Sequence, residues 1–423
     1  MADDLPRTRR HFVALTALRW FPTGVVLPVM VLLMRERGLS VAQVGIVLAI
    51  YSVVTATLEL PTGGLADVLG RRPVLVLSAS MTIAGSLLLG VGQTLPVLGV
   101  AAGVLGVARA LDSGPLQAWY VDTVQAIDAR ADLRQGFSQA GAAEAAGLGI
   151  GALVGGGLVA ISPLPQESGA VIALSTPFLL AAALSACSLV AVVAWVQEPP
   201  RETAARLGDA IADVPSTIVR GAALTVGRGP LRRIVTYSAA LGVALAGVEL
   251  LAPANFARLL GGASQAAGPY AVLVTLGFAG TAVGSALAPA VARMLRSPSR
   301  GILASALISA VSVLAISAPT LGVAATAFLT FYLLLGIGGP LLDELTHAAV
   351  ESSERATVLS VRSMVFQLGG MTASLSLGVL AGATTFPIAF ATLTVILALG
   401  SMTLVRMPQA KPARTDTVSQ MAH

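Results

Sequence analysis

Residues 63–73 have the sequence Gly-Gly-Leu-Ala-Asp-Val-Leu-Gly-Arg-Arg-Pro, and they separate two long apolar runs of the chain. The paired glycines allow helices to approach closely, and Gly70 permits a tight turn with a positive φ. Asp67 places a carboxylate at the end of an apolar run, where the N-terminus of another helix can receive it. Arg71 and Arg72 hold the segment at one membrane surface if the flanking runs cross a bilayer.

The composition of the whole chain indicates a membrane protein. Of its 423 residues, 55% are hydrophobic and 11% are charged, whereas soluble globular chains carry about 25% charged residues. These values exclude a water-soluble enzyme, a disordered protein and a nucleic-acid-binding protein. The single cysteine, Cys187, lies in an apolar run, so neither an intrachain disulfide nor a cysteine-rich metal site is possible. We predict no metal and no cofactor.

Twelve apolar runs reach the length of about 20 residues that a membrane span needs. The sequence therefore predicts an all-α membrane protein with twelve transmembrane helices. We place the spans at residues 12–34, 41–63, 73–93, 96–122, 138–160, 170–196, 231–256, 267–291, 300–318, 320–346, 356–380 and 385–406.

The basic residues predict how these spans are oriented. The chain has 26 Lys and Arg, Lys411 being the only lysine, and about 20 of them fall in segments on one side of the membrane, which is then the cytoplasmic side. We therefore expect a multi-pass protein of the inner (cytoplasmic) membrane with both termini in the cytoplasm. The predicted parts are a cytoplasmic N-terminus at 1–11, a six-helix bundle at 12–196, a cytoplasmic linker at 197–230, a second six-helix bundle at 231–406 and a tail at 407–423.

A weak internal repeat supports two related halves. Gly114-Pro115-Leu116 falls late in the fourth predicted span, and Gly339-Pro340-Leu341 falls late in the tenth. The offset resembles that between the first and seventh spans. Two six-span halves of this kind are typical of secondary transporters.

The stretch at 63–73 resembles the loop signature of the major facilitator superfamily, and it lies between the second and third spans as in that family. One departure is Val68, because a basic residue usually follows the Asp. The resemblance implies that Asp67 meets the start of span eleven and that Arg71 pairs with an acid ending span four, a role that Asp122 fits. These contacts would lock one state of an alternating-access cycle. The implied conformational-switch residues are Gly63, Asp67, Gly70, Arg71, Arg72 and Asp122.

The fifth span resembles the glycine motif of drug–proton antiporters in the same superfamily, except that Ala152 replaces its proline. Gly147, Gly151 and Gly155 are four residues apart, a spacing that permits close helix packing. Span eight carries Gly280 and Gly284 at the same spacing. Because the family fold packs spans five and eight across the two halves, we expect these two glycine faces to slide on each other. Static helix packing is the alternative.

Five ionisable residues fall inside spans of the first half: Arg19, Glu59, Arg109, Asp112 and Glu144. Such groups are costly in a bilayer unless they are paired or hydrated, so each is a candidate functional residue. Arg109 and Asp112 are three residues apart, which favours an ion pair on one helix face. Two arginines against three acids leave one carboxylate to bind a proton. We favour Glu144, because it has no basic neighbour in sequence; structural pairing remains the alternative for all five.

The second half has fewer charges in its spans. Glu249 lies near the outer end of span seven, where it could attract cations or extend to the surface. Asp343, Glu344 and His347 lie near the inner end of span ten, and Arg362 could balance either acid. The ordinary pKa of a histidine is near 6.5, so His347 could titrate with the cytoplasm or simply cap the helix.

Aromatic residues beside helix-breaking residues suggest where a substrate binds. Pro22 and Gly24 are predicted to interrupt span one next to Trp20, and broken helices mark binding sites in transporters. For Trp119 and Tyr120, near the inner end of span four, an interfacial aromatic belt is the favoured interpretation.

We therefore predict a monomeric secondary transporter, not an enzyme, that exports small, fairly apolar molecules in exchange for protons. The alternative is a proton symporter or facilitator for nutrient uptake. Scarce Gln and Asn in the spans favour an apolar substrate. A membrane sensor without transport and a membrane-embedded enzyme are remote alternatives.

Overall fold

The structure is a computed structural model of the chain and describes residues 4–128, 131–166, 169–198, 223, 225, 227–350 and 355–407. For residues 59–64, 67–68, 355–357 and 406 it describes the backbone alone. The long helices in these ranges are α1 (Asp4–Val26), α2 (Met30–Glu36), α3 (Val41–Leu69), α4 (Arg71–Val91), α5 (Leu95–Leu111), α6 (Pro115–Ile127), α7 (Arg134–Ile161), α8 (Thr176–Trp195), α9 (Gly229–Leu260), α10 (Ala263–Met294), α11 (Pro298–Ala315), α12 (Leu321–Ala348), α13 (Arg355–Ala383) and α14 (Phe386–Met402).

These helices confirm the predicted fold class. Twelve segments of the described chain are long and apolar enough to span a membrane, α1 with α2 forming the first and α5 with α6 the fourth. Helix α1 begins at Asp4, so the helical structure extends into the polar N-terminus predicted at 1–11. In hydrocarbon a helix satisfies its own backbone hydrogen bonds, which explains the absence of other regular structure in the described spans.

The first span is broken, but not at the predicted residues. Helix α1 continues through Pro22 and ends at Val26, and residues 27–29 form a turn. Pro28 has no backbone N–H and cannot continue the helical ladder. The prediction of a break at Pro22 and Gly24 was therefore wrong by about one turn.

The fourth span is broken where the repeated Gly-Pro-Leu occurs. Helix α5 ends at Leu111, and α6 begins at Pro115. Gly114 has a φ of 110°, which disfavours other residues, and Pro115 occupies the first helical turn, where its missing N–H has no cost. The matching Pro340 lies inside the continuous helix α12.

Helix packing repeats between the two halves. In the first half, α1 packs on α7 and α8, α3 packs on α5, and α4 packs on α5 and α8. In the second half, α9 packs on α13 and α14, α10 packs on α12, and α11 packs on α12 and α14. Each packing pair of the second half joins the two spans that lie six spans later in the chain than the corresponding pair of the first half. The two halves are therefore related by pseudo-symmetry, as predicted.

The halves meet through α3 on α13 and α7 on α10. We call the end of the bundle that holds Arg71, Glu198 and Gly229 the linker end, and the opposite end the far end. The far end is closed by backbone contacts: a Cβ on Gly45 would lie 1.9 Å from the Ser374 carbonyl oxygen, and one on Gly378 would lie 2.6 Å from that of Val41. Helix α2 also packs on α9 and α10 there.

The small residues of α7 fix its contact with α1. A Cβ on Gly155 would lie 2.0 Å from the Val25 carbonyl oxygen, and one on Gly151 would lie 2.6 Å from that of Phe21. Without a hydrophobic driving force in lipid, helices associate through such close packing. Gly157, on the same helix, has open space around its Cβ position.

Gly155→Ala is expected to lower the stability of the folded protein by about 1–3 kcal/mol, because the added methyl meets backbone that cannot move aside. Gly157→Ala is the matched control and is expected to be neutral or to stabilise by up to about 1 kcal/mol, since alanine favours helix. Thermal unfolding of both purified variants in the same detergent measures the difference. Equal melting temperatures would contradict the packing argument.

Candidate functional site

A cavity of about 410 Å³ lies mainly in the first half. Helices α1 to α6 and α8 form most of its wall, to which the second half adds Ala246, Glu249 and Ser374. Most of the lining is aliphatic or aromatic. Its charged lining residues are Arg19, Arg109, Asp112 and Glu249.

The charged cluster of the first half is built around Trp20. The guanidinium carbons of Arg19 and Arg109 lie 5.1 and 5.2 Å from the centre of its ring, a distance at which cation–π attraction is favourable. Arg19 also forms an ion pair with Asp112, and both side chains are only 15% exposed. An ion pair satisfies two charges that would be costly alone at this depth.

The predicted pairing of Arg109 with Asp112 differs from the observed one. Asp112 caps the end of α5 with helical backbone angles, and its N–H donates to the Ala108 carbonyl. Arg109 lies within electrostatic reach of Asp112. The observed ion pair of the Asp112 carboxylate is with Arg19 on α1.

Glu144 lies behind this cluster. Its side chain is half-buried on α7, and it does not belong to the cavity wall. The charges of Arg19 and Arg109 both act on it. The cluster thus contains two arginines, Asp112 and Glu144, as the sequence predicted. The fifth predicted member, Glu59, lies in α3, but its side chain is outside the described residues.

Glu249 joins the site from the second half. Its side chain is exposed, and the surface that it exposes lines the cavity. The prediction placed it near the outer end of its span, whereas it lies 11 residues before the end of α9. Tyr51, another lining residue, is within electrostatic reach of Glu249, Arg19 and Arg109. The sequence alone did not predict that Glu249 lies near these first-half residues, because the two halves are far apart in the chain.

Hydroxyl groups give one wall of the cavity hydrogen-bonding capacity. Ser78, Thr82 and Ser86 are spaced by four along α4 and line the cavity. Ser78 donates to the Ala108 carbonyl at 2.8 Å, and Thr82 donates to the Ser78 carbonyl at 2.9 Å. Sequence reasoning did not single out this row, although hydroxyls at every fourth position of an apolar run were the available signal.

The stretch at 63–73, predicted as a loop, lies at the linker end of the first half, and only Gly70 of it lies outside α3 and α4. Gly70 has a φ of 109°, as its predicted turn requires. Arg71 forms an ion pair with Asp122, which confirms that predicted contact. Glu198 accepts hydrogen bonds from the backbone N–H groups of Arg71 and Arg72, the latter at 3.2 Å, and so caps the start of α4.

Two other expectations for this loop lie outside the described residues. For Gly63 and Asp67 the structure describes the backbone alone, and residues 351–354 just before α13 are not described. The contact of Asp67 with the start of span eleven remains a prediction.

The glycine faces predicted to slide between the halves pack inside each half instead. Gly147, Gly151 and Gly155 contact α1. Gly280 and Gly284 contact α12, where a Cβ on Gly284 would lie 2.1 Å from the Leu333 carbonyl oxygen.

Other small residues hold α7 against α10. A Cβ on Gly156 would lie 2.3 Å from the Cβ of Ala271, and Thr275 donates to the Gly149 carbonyl at 2.9 Å. The predicted helix pair is therefore correct and the predicted face is wrong. Spacing alone does not fix the rotation of a helix about its axis.

The remaining charged residues predicted for the second half lie at the linker end. Arg362 donates to Asp343 at 2.5 Å and to Thr346 at 2.9 Å, so the expected balance with Asp343 is present. Glu344 and His347 are exposed near the end of α12. These residues are not part of the cavity wall.

Trp119 and Tyr120 are buried, in contrast to the predicted interfacial belt. Their side chains are 4% and 2% exposed. The Trp119 indole donates to the Gln197 carbonyl at 3.1 Å. Tyr120 stacks on Phe12 with ring centres 4.2 Å apart. Both residues tie α6 to its own half.

Comparison with known proteins gives matches to membrane transporters. The tetracycline resistance protein, class D, of Salmonella ordonez is 31% identical over 201 residues, which is 47% of this chain and 46% of that protein. The alignment thus spans less than half the length of the relative.

Solved structures share the fold. The nucleoside transporter NupG superposes with a TM-score of 0.74 at 13% identity, covering 94% of this chain and 99% of NupG. A bacterial homologue of the human lysosomal transporter Spinster, in an inward-facing and unoccupied conformation, gives 0.69 at 16% identity, covering 98% and 100%. At such identities the likeness shows the fold alone.

The family model of the Major Facilitator Superfamily matches residues 12–350. With twelve spans in two related halves and a cavity bordered by both, the chain belongs to the Major Facilitator Superfamily of membrane transporters and is not an enzyme.

Proposed function

We propose that this transporter exports small, fairly apolar molecules in exchange for protons. The observation that carries the proposal is an apolar cavity with two carboxylates, Glu249 on its wall and Glu144 beside its charged lining, that form no ion pair with an arginine among the described side chains. An apolar wall with a few polar groups suits a small, largely apolar ligand. Embedded acids that can change protonation mark proton pathways in transporters.

The orientation in the membrane gives the side that this conformation faces. The excess of basic residues favours a cytoplasmic position for the linker end, both termini and the predicted linker at 197–230. Because the far end is closed by backbone contacts, we infer that this conformation faces the cytoplasm, a state through which exporters and importers both pass. The predicted bundles at 12–196 and 231–406 are then the two units that move, in a monomer in the cell membrane.

Two comparisons favour export over uptake. The relative that matches half of this chain is named for tetracycline resistance. The glycine pattern of α7 resembles the drug–proton antiporter motif, although Ala152 replaces its proline. Uptake by symport or facilitation is the competing function.

Glu144 is our candidate proton carrier. When it is ionised, Asp112 and Glu144 together balance Arg19 and Arg109. Protonation of Glu144 leaves one positive charge in excess beside the cavity. A unit charge pair at about 4 Å and an effective dielectric constant of 20 is worth about 4 kcal/mol, and Glu144 gives less than this because it forms no ion pair with either arginine in the described structure. A change of a few kcal/mol shifts a conformational equilibrium.

The loop at the linker end is our candidate switch. The Arg71–Asp122 pair joins the loop after α3 to the end of the fourth span. Glu198 joins the same loop to the start of the linker. Contacts at this surface must rearrange when the halves close there.

The function is tested with the purified protein in sealed liposomes that carry a pH gradient and a trapped pH dye. A panel of lipophilic compounds, sugars and amino acids is added in turn. Proton movement opposite to a lipophilic compound supports antiport. Movement of protons in the same direction as a polar nutrient would contradict antiport and support symport.

Glu144→Gln is expected to uncouple transport from the pH gradient, because the amide cannot exchange a proton. Gradient-driven uptake into vesicles should fall to the rate without a gradient, while exchange without a gradient persists. Glu36→Gln, the same change at the far end of α2, is the control. A Glu144→Gln protein that remains fully gradient-driven would move the proton site to Asp112 or Glu59.

Asp122→Asn is expected to slow turnover by up to about fivefold, since the Asp122 side chain is 50% exposed and such pairs contribute at most about 1 kcal/mol. Substrate affinity should stay unchanged, because Asp122 is remote from the cavity wall. The charge-swapped protein, Arg71→Asp with Asp122→Arg, should recover part of the rate. Unchanged turnover in Asp122→Asn would remove this pair from the switch.

A further inference from the structure

We propose that Glu249 binds a positively charged group of the substrate, and that the transported molecules are therefore organic cations with an apolar body. This inference rests on the proposed transport function and names its substrate class. It is carried by the position of one acidic side chain on the cavity wall.

Glu249 lies at the middle of the bundle, facing the first half. It is 11 residues before the end of α9, which at 1.5 Å per residue is about 16 Å from the far end. Tyr51 lies about 15 Å from the far end of α3 by the same measure. Both residues line the cavity, so the carboxylate is presented at the depth of the substrate.

Glu249 has no partner among the described side chains. No hydrogen bond or ion pair joins it to another described residue, and its side chain is exposed to the cavity. An uncompensated carboxylate at this depth is costly in a bilayer protein. A residue of this kind needs a cation or a proton from outside the protein.

The arginines of the cavity are engaged elsewhere. Arg19 pairs with Asp112 and stacks on Trp20. Arg109 stacks on the same ring, and its charge acts on Glu144. When Glu144 is ionised, as at pH 8 in the test below, these four charged groups add up to zero and Glu249 is the unbalanced acidic group of the site.

The titratable groups near Glu249 supply no positive charge. Tyr51 on α3, Tyr270 on α10 and Tyr332 on α12 lie within its electrostatic reach, and all three are neutral phenols at physiological pH. Phe178 and aliphatic side chains form much of the remaining wall. The part of the cavity around Glu249 therefore offers a carboxylate beside an apolar surface, which suits a cation attached to an apolar body.

The placement also explains how binding could act on both halves. The apolar wall belongs mainly to the first half, whereas Glu249 belongs to the second. A cation bound at Glu249 with its body in the cavity contacts both halves at once. Binding energy can then favour one arrangement of the halves over another.

The test uses two probes of matched shape and opposite charge, tetraphenylphosphonium and tetraphenylborate. Their affinities are measured with the purified full chain in detergent at pH 8, so that no transport or gradient is required. The wild type is expected to bind the phosphonium at least tenfold more tightly than the borate. Glu249→Gln should weaken phosphonium binding about tenfold or more, Glu249→Asp should keep it within about threefold, and Glu36→Gln should leave it unchanged.

Three results would overturn the proposal: unchanged phosphonium binding in Glu249→Gln, equal loss in Glu249→Asp, or tighter binding of the borate than the phosphonium by the wild type. Retained thermal unfolding of each variant shows that the protein is folded. Phosphonium binding that depends on Glu249, together with no proton-driven transport in liposomes, would instead refute the proposed antiport and leave the binding site intact.

Discussion

The structure depends on close contact between helix backbones at positions that have no side chain. Gly151 and Gly155 bring α7 onto the backbone of α1, and Gly45 and Gly378 bring α3 onto α13. In lipid, tight packing replaces the hydrophobic effect as the force between helices. Since α1 carries Arg19 and Trp20, its packing contact with α7 also sets the depth and direction of the charged cluster. A change in that contact would move the site.

Charge inside the bundle follows a second constraint. A buried ion needs a partner or water, and the first half meets this need by grouping opposite charges. Arg19 and Arg109 share the ring of Trp20, with Asp112 in direct contact and Glu144 within reach. Asp112 caps the end of α5, just before the break in the fourth span, and meets Arg19 on another span. The same break places Gly114 at a backbone angle that glycine tolerates.

The sequence predicts well what depends on composition and position along the chain. Apolar length predicts the twelve spans, and the loop motif predicts the Arg71–Asp122 pair. The sequence predicts poorly the contacts that depend on how a helix is rotated about its axis or on where a helix is interrupted. The partner of Asp112, the glycine face of α7 and the inward direction of Glu249 all require knowing which way each helix turns. Residue spacing predicts which side chains share a face of one unbroken helix. It does not predict which neighbouring helix that face contacts.

The contacts between the halves are suited to being broken and remade. Arg19–Asp112 and Arg362–Asp343 each join residues of one half, so separating the halves leaves these two pairs intact. Across the interface, Gly156 packs on Ala267 and Ala271, and Thr275 donates to Gly149. Such small contacts keep the energy difference between conformations to a few kcal/mol, which bound ligands can overcome. A cation held between Glu249 and the first half would then be a strong polar contact across that interface, and its release would weaken the arrangement that it had favoured.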